Sequence, residues 1–320
     1  MKVPKVLVTG ATGFVGEAVV LRLLLDGNLT PLAAVRGSSR LAGLCQVVPF
    51  VLGDSTRLPG LDDIQVIIHC AARVHVMNET ATDALAEFRK VNVDGTVRLA
   101  RKAAESGVKR FIFISSIKVN GEKSAPGIPF KFDDPPAPID PYGISKLEAE
   151  LALQKISFDT GMEVVIIRPP LVYGPGVRAN FLNMMVWLNK RIPLPLGSIT
   201  NRRSFVAVGN LVDLVIMCVD HPDAANNTFL VSDGEALSTT QLLRRIARAL
   251  GKPALLMPIP IWMLKGILLM FGKKVIAQRL FDSLEVDILR TQTLLGWSPP
   301  VDMTKALRQT VDHYLDTLKK

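Results

Sequence analysis

The chain has 320 residues, of which 48% are hydrophobic and 21% charged, a globular composition that excludes disordered, collagenous and low-complexity classes. Its three cysteines, Cys45, Cys70 and Cys218, are far apart and form no CxxC pair, so neither a disulfide framework nor a metal site is expected, and a reducing, cytoplasmic setting fits. Lysine and arginine number 38 against 29 acids, a formal charge of +9; the cations are scattered, which suits small phosphorylated ligands and, without a basic stripe carrying aromatics, argues against nucleic acid.

Lys2 and Lys5 precede VLVTG, but Pro4 and Lys5 interrupt the start and glycines soon follow. The stretch is therefore a first buried strand at 6–9, not a signal peptide. Continuous apolar runs recur at 31–35, 47–51, 66–69, 111–114 and 164–167, the pattern of strands covered on both faces. Helix-period segments at 16–26, 81–106 and 142–160 lie between them. This βαβ series predicts a doubly wound parallel α/β sheet over residues 1–175.

Past Arg168, proline and glycine thicken through PPLVYGPGVRANF and RIPLPLGSITNRR, and helical segments follow at 239–250, 261–271, 283–295 and 303–318. Ser238 is the expected N-cap of the first, and Gly251 and Gly296 are expected stops. A smaller, mostly helical substrate domain is expected at 176–320, with a segment near 203–222 returning to the first domain and a cleft between them. The stretch 255–271, LLMPIPIWMLKGILLMF, holds two prolines and a lysine. It is too interrupted to span a bilayer and is expected to be a core helix opened by Pro260; the alternative is a face resting weakly on a membrane surface.

Gly10, Gly13 and Gly16 in TGATGFVG follow the first strand and open a helix. Gly10 allows the tight turn, Gly13 lets the backbone approach a pyrophosphate, and Gly16 lets helix pack on strand. The first helical residues, Phe14 and Val15, present free N–H groups to the phosphates. Where an NAD-binding fold places an acid on the ribose 2′-hydroxyl, this chain has Arg36, with Arg40 nearby. A guanidinium suits a 2′-phosphate, so NADP(H) is favoured over NAD(H). Tyr142 and Lys146 stand one helical turn apart in PYGISKLEAE, so they share a face; an ammonium there favours phenolate and tunes the tyrosine for proton transfer.

The GxxGxxG spacing, the YxxxK pair and the SSIKVNG segment ending the fifth strand together resemble the extended short-chain dehydrogenase/reductases, the NAD-dependent epimerase/dehydratase family. The resemblance covers nearly the whole chain and implies a Rossmann-type fold. It implies that Ser116 orients the reacting oxygen, that Tyr142 gives or takes its proton, and that Lys146 also holds the nicotinamide ribose. Asp54 resembles the acid that accepts from the adenine amino group. Ala71 and Ala72, in HCAA, resemble the small residues under the cofactor. His69 is expected to be a packed strand histidine. Asn92 resembles the asparagine that orders the site backbone, and Pro169 the turn that receives the nicotinamide amide. Within this branch the chain is similar to nucleotide-sugar enzymes, which implies that Arg203 and Asn180 hold a diphosphate. Lys118 faces the same loop and is a candidate substrate contact. Apolar positions on the helices at 81–106 and 142–160 imply a homodimer.

Departures narrow the reaction. Dehydratases carry Asp-Glu where this chain has Ile117-Lys118, so elimination of water lacks its acid and base. C3/C5 epimerases use a cysteine base in that loop, where Lys118 stands. Asn120, Ala207, Leu171 and Leu284 each replace a residue common in 4-epimerases. DDPPAPIDPYGISKLEAE and NRRSFVAVGNLVDL resemble the 4-ketosugar reductases of bacterial O-antigen (lipopolysaccharide) clusters. The expectation is NAD(P)H-dependent reduction of a UDP-4-keto-6-deoxy-N-acetylhexosamine to UDP-N-acetylquinovosamine; the alternative is a UDP-sugar 4-epimerase with retained NAD. A nucleotide-sensing, non-catalytic reading fits less, because the tyrosine and lysine are both present.

Overall fold

The computed structural model describes residues 3–54, 58–74, 83–125, 127–272 and 274–319. Its first part alternates strand and helix: β1 (Lys5–Thr9), α1 (Phe14–Asp26), β2 (Thr30–Val35), β3 (Gln46–Pro49), β4 (Ile64–His69), α2 (Ala84–Phe88), α3 (Gly95–Glu105), β5 (Arg110–Ile114), α4 (Pro141–Thr160) and β6 (Glu163–Arg168). The six expected strands are all present. The start of the second expected helix, at 81–82, lies outside the described residues.

The second part begins with β7 (Leu171–Tyr173), α5 (Ala179–Asn189), β8 (Arg203–Ala207), α6 (Val208–Asp220), β9 (Thr228–Leu230) and β10 (Ala236–Leu237). It ends in helices, α7 (Thr239–Ala249), α8 (Ile261–Met270), α9 (Lys274–Phe281), α10 (Leu289–Leu295) and α11 (Met303–Thr317). Of the expected helix at 283–295, only the α10 half is helical; Leu284 and Val286 form extended bridges to Arg203 and Phe130.

Seven parallel strands form the main sheet in the order β3-β2-β1-β4-β5-β6-β9. The order reverses between β1 and β4, which opens a crevice at the carboxyl ends of these strands. Alternation along each strand fills both faces. Val6 and Val8 pack toward Val19, Val20, Leu211 and Val215 of α1 and α6, whereas Leu7 packs toward Leu99, Ala103, Ala149 and Leu153 of α3 and α4. Both faces are dry, which is why the strands are apolar without a break. A small sheet, β10-β8-β7, supports the helical lobe. There Phe181 and Met185 of α5 pack with Leu243 and Ile246 of α7 and Leu307 and Val311 of α11.

The expectation of a core helix at 261–271 is corrected: Pro260 does open α8, but Leu264 is its one buried residue.

Candidate active site

The glycine loop is built by close approach. Gly10 has φ +65°, and a Cβ there would stand 2.7 Å from the Ala71 nitrogen; a Cβ on Gly16 would stand 2.2 Å from the Gly10 carbonyl oxygen. Gly13 is the N-cap of α1 and brings no side-chain cap of its own. The N–H groups of Phe14, Val15 and Gly16 therefore have no intrahelical acceptor and meet the crevice with the positive end of the helix. Phe14 and Val15 are half-buried there, as are Ala71, Ala72 and Asp54 around the same edge. A crowded, side-chain-free cradle with unused amide donors fits a dinucleotide pyrophosphate.

His69 lies under this loop. Its Nδ1 is 2.7 Å from Thr9 Oγ1 and its Nε2 is 3.0 Å from Thr96 Oγ1. Burial, with help from the Lys146 charge, pushes it down to about 3. It is a neutral packing residue, as the sequence suggests.

The proton-transfer group forms where α4 meets the end of β5. Asp140 caps α4 by accepting from Gly143 N at 2.6 Å, and Pro141 follows it inside the first turn. Gly143 lies so close to the preceding turn that a Cβ would be 3.1 Å from the Lys118 carbonyl. That turn, Ile117–Val119, is capped by Ser116, whose Oγ accepts from Lys118 N at 3.3 Å. Lys146, one turn along α4, is buried and donates from Nζ to the Ile114 carbonyl at 2.8 Å, with Nζ 4.2 Å from the centre of the Phe113 ring. Ser116, Tyr142 and Lys146 are thus gathered at one sheet edge. Ile117 N donates to the Pro169 carbonyl at 3.0 Å, which brings the turn after β6 to the same place.

Asn92 explains an interruption in the second helix. Residues Arg89–Asp94 widen into a π turn between α2 and α3, a feature often found at functional sites. Asn92 is buried there, accepts from Arg73 N at 2.7 Å, and donates to Arg73 O and Ser145 Oγ, each at 3.0 Å. It ties the loop after β4 to α4.

Residues 6–232 match the family described as the NAD dependent epimerase/dehydratase family. The chain belongs to that family. It is 50% identical over 322 residues to a Vibrio cholerae protein named UDP-glucose 4-epimerase, a match covering 98% of this chain and 97% of the relative. Two solved structures share the fold. The Thermotoga maritima UDP-glucose 4-epimerase with UDP-glucose has a TM-score of 0.79 at 23% identity and covers 98% of this chain and 99% of that one. The Bacillus cereus UDP-glucuronic acid 4-epimerase with NAD has a TM-score of 0.77 at 22% identity, covering 99% and 100%.

In this family member the electrostatics of the tyrosine differ from the expectation. Burial, then the charge of Asp140, raise the Tyr142 phenol above its ordinary value. Lys146, the ammonium expected to lower it, donates to the Ile114 carbonyl. Burial pushes Lys146 down to about 8 against the opposing charge of Glu150.

The remaining candidates fall into distinct positions. Arg36 is exposed at the end of β2, whereas Arg40 is paired with Glu17 of α1 at 2.5 Å. The Lys118 ammonium is held by Asp140 and by Glu122, the latter at 3.1 Å, and does not stand free toward substrate. Asn180 is exposed in the first turn of α5. Arg203, in β8, donates from Nη1 to the Asp282 carbonyl at 3.0 Å.

Three acids were missed by reasoning on sequence. Asp140 carried a readable signal, an N-cap acid followed by proline. Glu150 shares the face of Lys146 by its spacing; it binds Arg168 at 2.6 Å and accepts a short bond from Ser115, while Arg168 reaches Asn120 at 3.0 Å. Asp233 carried no signal. It receives Ala207 N at 2.9 Å, Asn210 Nδ2 at 2.7 Å and Tyr173 OH at 2.8 Å, capping α6 from a distant loop. Ala207 thus serves through its backbone N–H.

Proposed function

We propose that this chain is a UDP-hexose 4-epimerase working with retained NAD. The reading is carried by the 50% identity, over nearly the whole of both chains, to the Vibrio cholerae UDP-glucose 4-epimerase. It reverses the order of preference drawn from sequence: Asn120, Ala207, Leu171 and Leu284 weigh less than similarity of that extent. Asn120 has a structural duty, joining Arg168 to the Lys131 carbonyl.

In this proposal Tyr142 takes the proton of the C4 hydroxyl as C4 is oxidised and returns it to O4 on reduction. Ser116 holds O4 by hydrogen bond through both halves. NAD, held by the glycine cradle, would supply the hydride acceptor and donor for C4. Lys146, fixed by Ile114, holds the nicotinamide ribose. Arg203 and Asn180 grip the diphosphate, the pivot about which the sugar turns between the two half-steps. Residues 1–175 carry the nucleotide and 176–320 the sugar, with α6 returning to pack on α1. Exposed Leu151 and Phe158 of α4 support a homodimer through that helix.

A second reading, 4-ketosugar reduction with NADPH, is favoured by the exposed guanidinium of Arg36 at the ribose position. One experiment separates the two. The purified protein is incubated with UDP-glucose or UDP-N-acetylglucosamine without added cofactor, and with UDP-4-keto-6-deoxy-N-acetylglucosamine plus NADPH. Interconversion of C4 epimers in the first supports the epimerase. Stoichiometric loss of NADPH in the second, with no epimer in the first, moves the assignment to the reductase.

A further inference from the structure

We propose that α8 seats the helical lobe on the surface of an anionic lipid bilayer. The helix is inverted relative to an ordinary surface helix. Leu264 is buried and Ile261 and Leu268 are half-buried on one side. At 100° per residue, the opposite side carries Trp262, Leu269 and Met270, exposed at 77%, 48% and 76%. A helix at a water interface turns its polar residues outward; here Lys265, at the flank, is the one charge on α8.

Further exposed apolar residues lie in the chain just before the helix, on main chain fastened to the lobe. Leu255 and Met257 are exposed at 43% and 44%. Their main chain is fastened to Leu194, with Leu194 N donating to Leu255 O at 2.9 Å and Met257 N to Leu194 O at 2.8 Å. Ile192 and Trp187, also exposed, close the same end of the lobe, beside exposed Lys190 and Arg191. Apolar patches of this kind mark binding surfaces.

Charge selects the occupant. Residues 236–281 contain eight lysines and arginines and no aspartate or glutamate, in a chain whose formal charge is +9. Arg245 is paired with Glu235 from just outside the segment, whereas Lys265 on α8 and Lys190 and Arg191 of the lobe are exposed. A second copy docking the same face would set this positive segment against itself. An anionic leaflet attracts it, at about 1 kcal/mol for each basic residue near the surface. No helix among the described residues is long and apolar enough to cross a membrane. A ten-residue helix is about 15 Å long, so α8 lies in the interface plane with Trp262 at headgroup depth. α9 then leads to Asp282, whose carbonyl holds Arg203. The docked face and the diphosphate arginine are thus joined by one stretch of chain.

The test uses the full chain and sedimentation with two vesicle preparations, phosphatidylcholine alone and the same lipid with about one third phosphatidylglycerol. The protein is expected to pellet with the anionic vesicles, to be released by high salt, and to show a blue-shifted tryptophan emission that Trp262→Phe removes without loss of pelleting. Trp262→Glu with Met270→Glu, both at exposed positions, is expected to weaken pelleting about ten-fold or more with an unchanged melting temperature. Equal pelleting of this double variant overturns the proposal, as does absence of pelleting at low salt. A dimer in sedimentation velocity that the double variant converts to monomer assigns the face to a second copy instead, and also overturns it.

Discussion

The ammonium of Lys118 lies against the carboxylate of Asp140, the same group that caps α4 by accepting from Gly143 N at 2.6 Å. Asp140 is a charge that helps to hold Tyr142 protonated, so Lys118, with Glu122 as its second partner, sets how strongly Asp140 acts on the phenol. Lys146 faces the carbonyl of Ile114 on the other side. Lys118→Gln is expected to shift the tyrosine limb of log kcat/KM against pH upward by about half a unit to one unit, with Lys118→Arg restoring it. The shift should shrink in high salt because the pair is partly exposed. An unmoved limb in Lys118→Gln would leave the pair a purely structural role.

Tyr142→Phe removes the hydroxyl and keeps the ring that meets Phe88 edge-on at 6.1 Å. Turnover is expected to fall by about 10²–10⁴-fold, while bound nucleotide per chain and the melting temperature stay as in the parent. Retained turnover would assign the proton to another group.

Gly16→Ala tests the cradle. Its Cβ would fall 2.2 Å from the Gly10 carbonyl oxygen and 2.7 Å from the Gly10 carbonyl carbon, both backbone atoms, so the loop must move. Nucleotide affinity, read by fluorescence titration, is expected to drop more than about ten-fold because amide donors are lost from position. Parent-like affinity would place the nucleotide elsewhere.

Glu150 and Arg168 are an ion pair with side chains only 1% and 6% exposed. Glu150→Gln leaves the guanidinium without its counter-charge in a dry site, and a loss of about 3–5 kcal/mol is expected in denaturant unfolding. Glu150→Gln combined with Arg168→Met should recover much of that loss. If it does not, packing and not charge is the cause.

Lys146 has a native pKa near 8 against an ordinary 10.5, because burial penalises its charge. Between those values the unfolded chain binds the extra proton, so stability rises with pH through this window. Below about 8 both states are protonated and the penalty is fully present. Relative to Lys146→Met, the parent is expected to gain up to about 3 kcal/mol from pH 8 to 10.5, measured by urea unfolding at each pH. A flat difference between the two would show that the ammonium is not desolvated.

Legibility followed the reach of the signal. The six strands and the glycine loop could be read because each is a local pattern that a dry, two-sided sheet or a tight turn imposes on consecutive residues. β7, β9 and β10 could not, since two or three residues carry no period. The π turn that aims Asn92 also has no local mark: it is selected by bonds to Arg73 and Ser145.

Local pattern and motif, in the end, specify the doubly wound sheet, the family, and which side chains are candidates for chemistry. Only the folded chain decides where charges point. Lys146 donates to the Ile114 carbonyl, Lys118 is claimed by Asp140, and Asp233 travels from a distant loop to cap α6. An apolar stretch that reads as core becomes surface in α8. Backbone propensity acts over a few neighbours, whereas burial and ion pairing depend on which distant segments arrive at the same place.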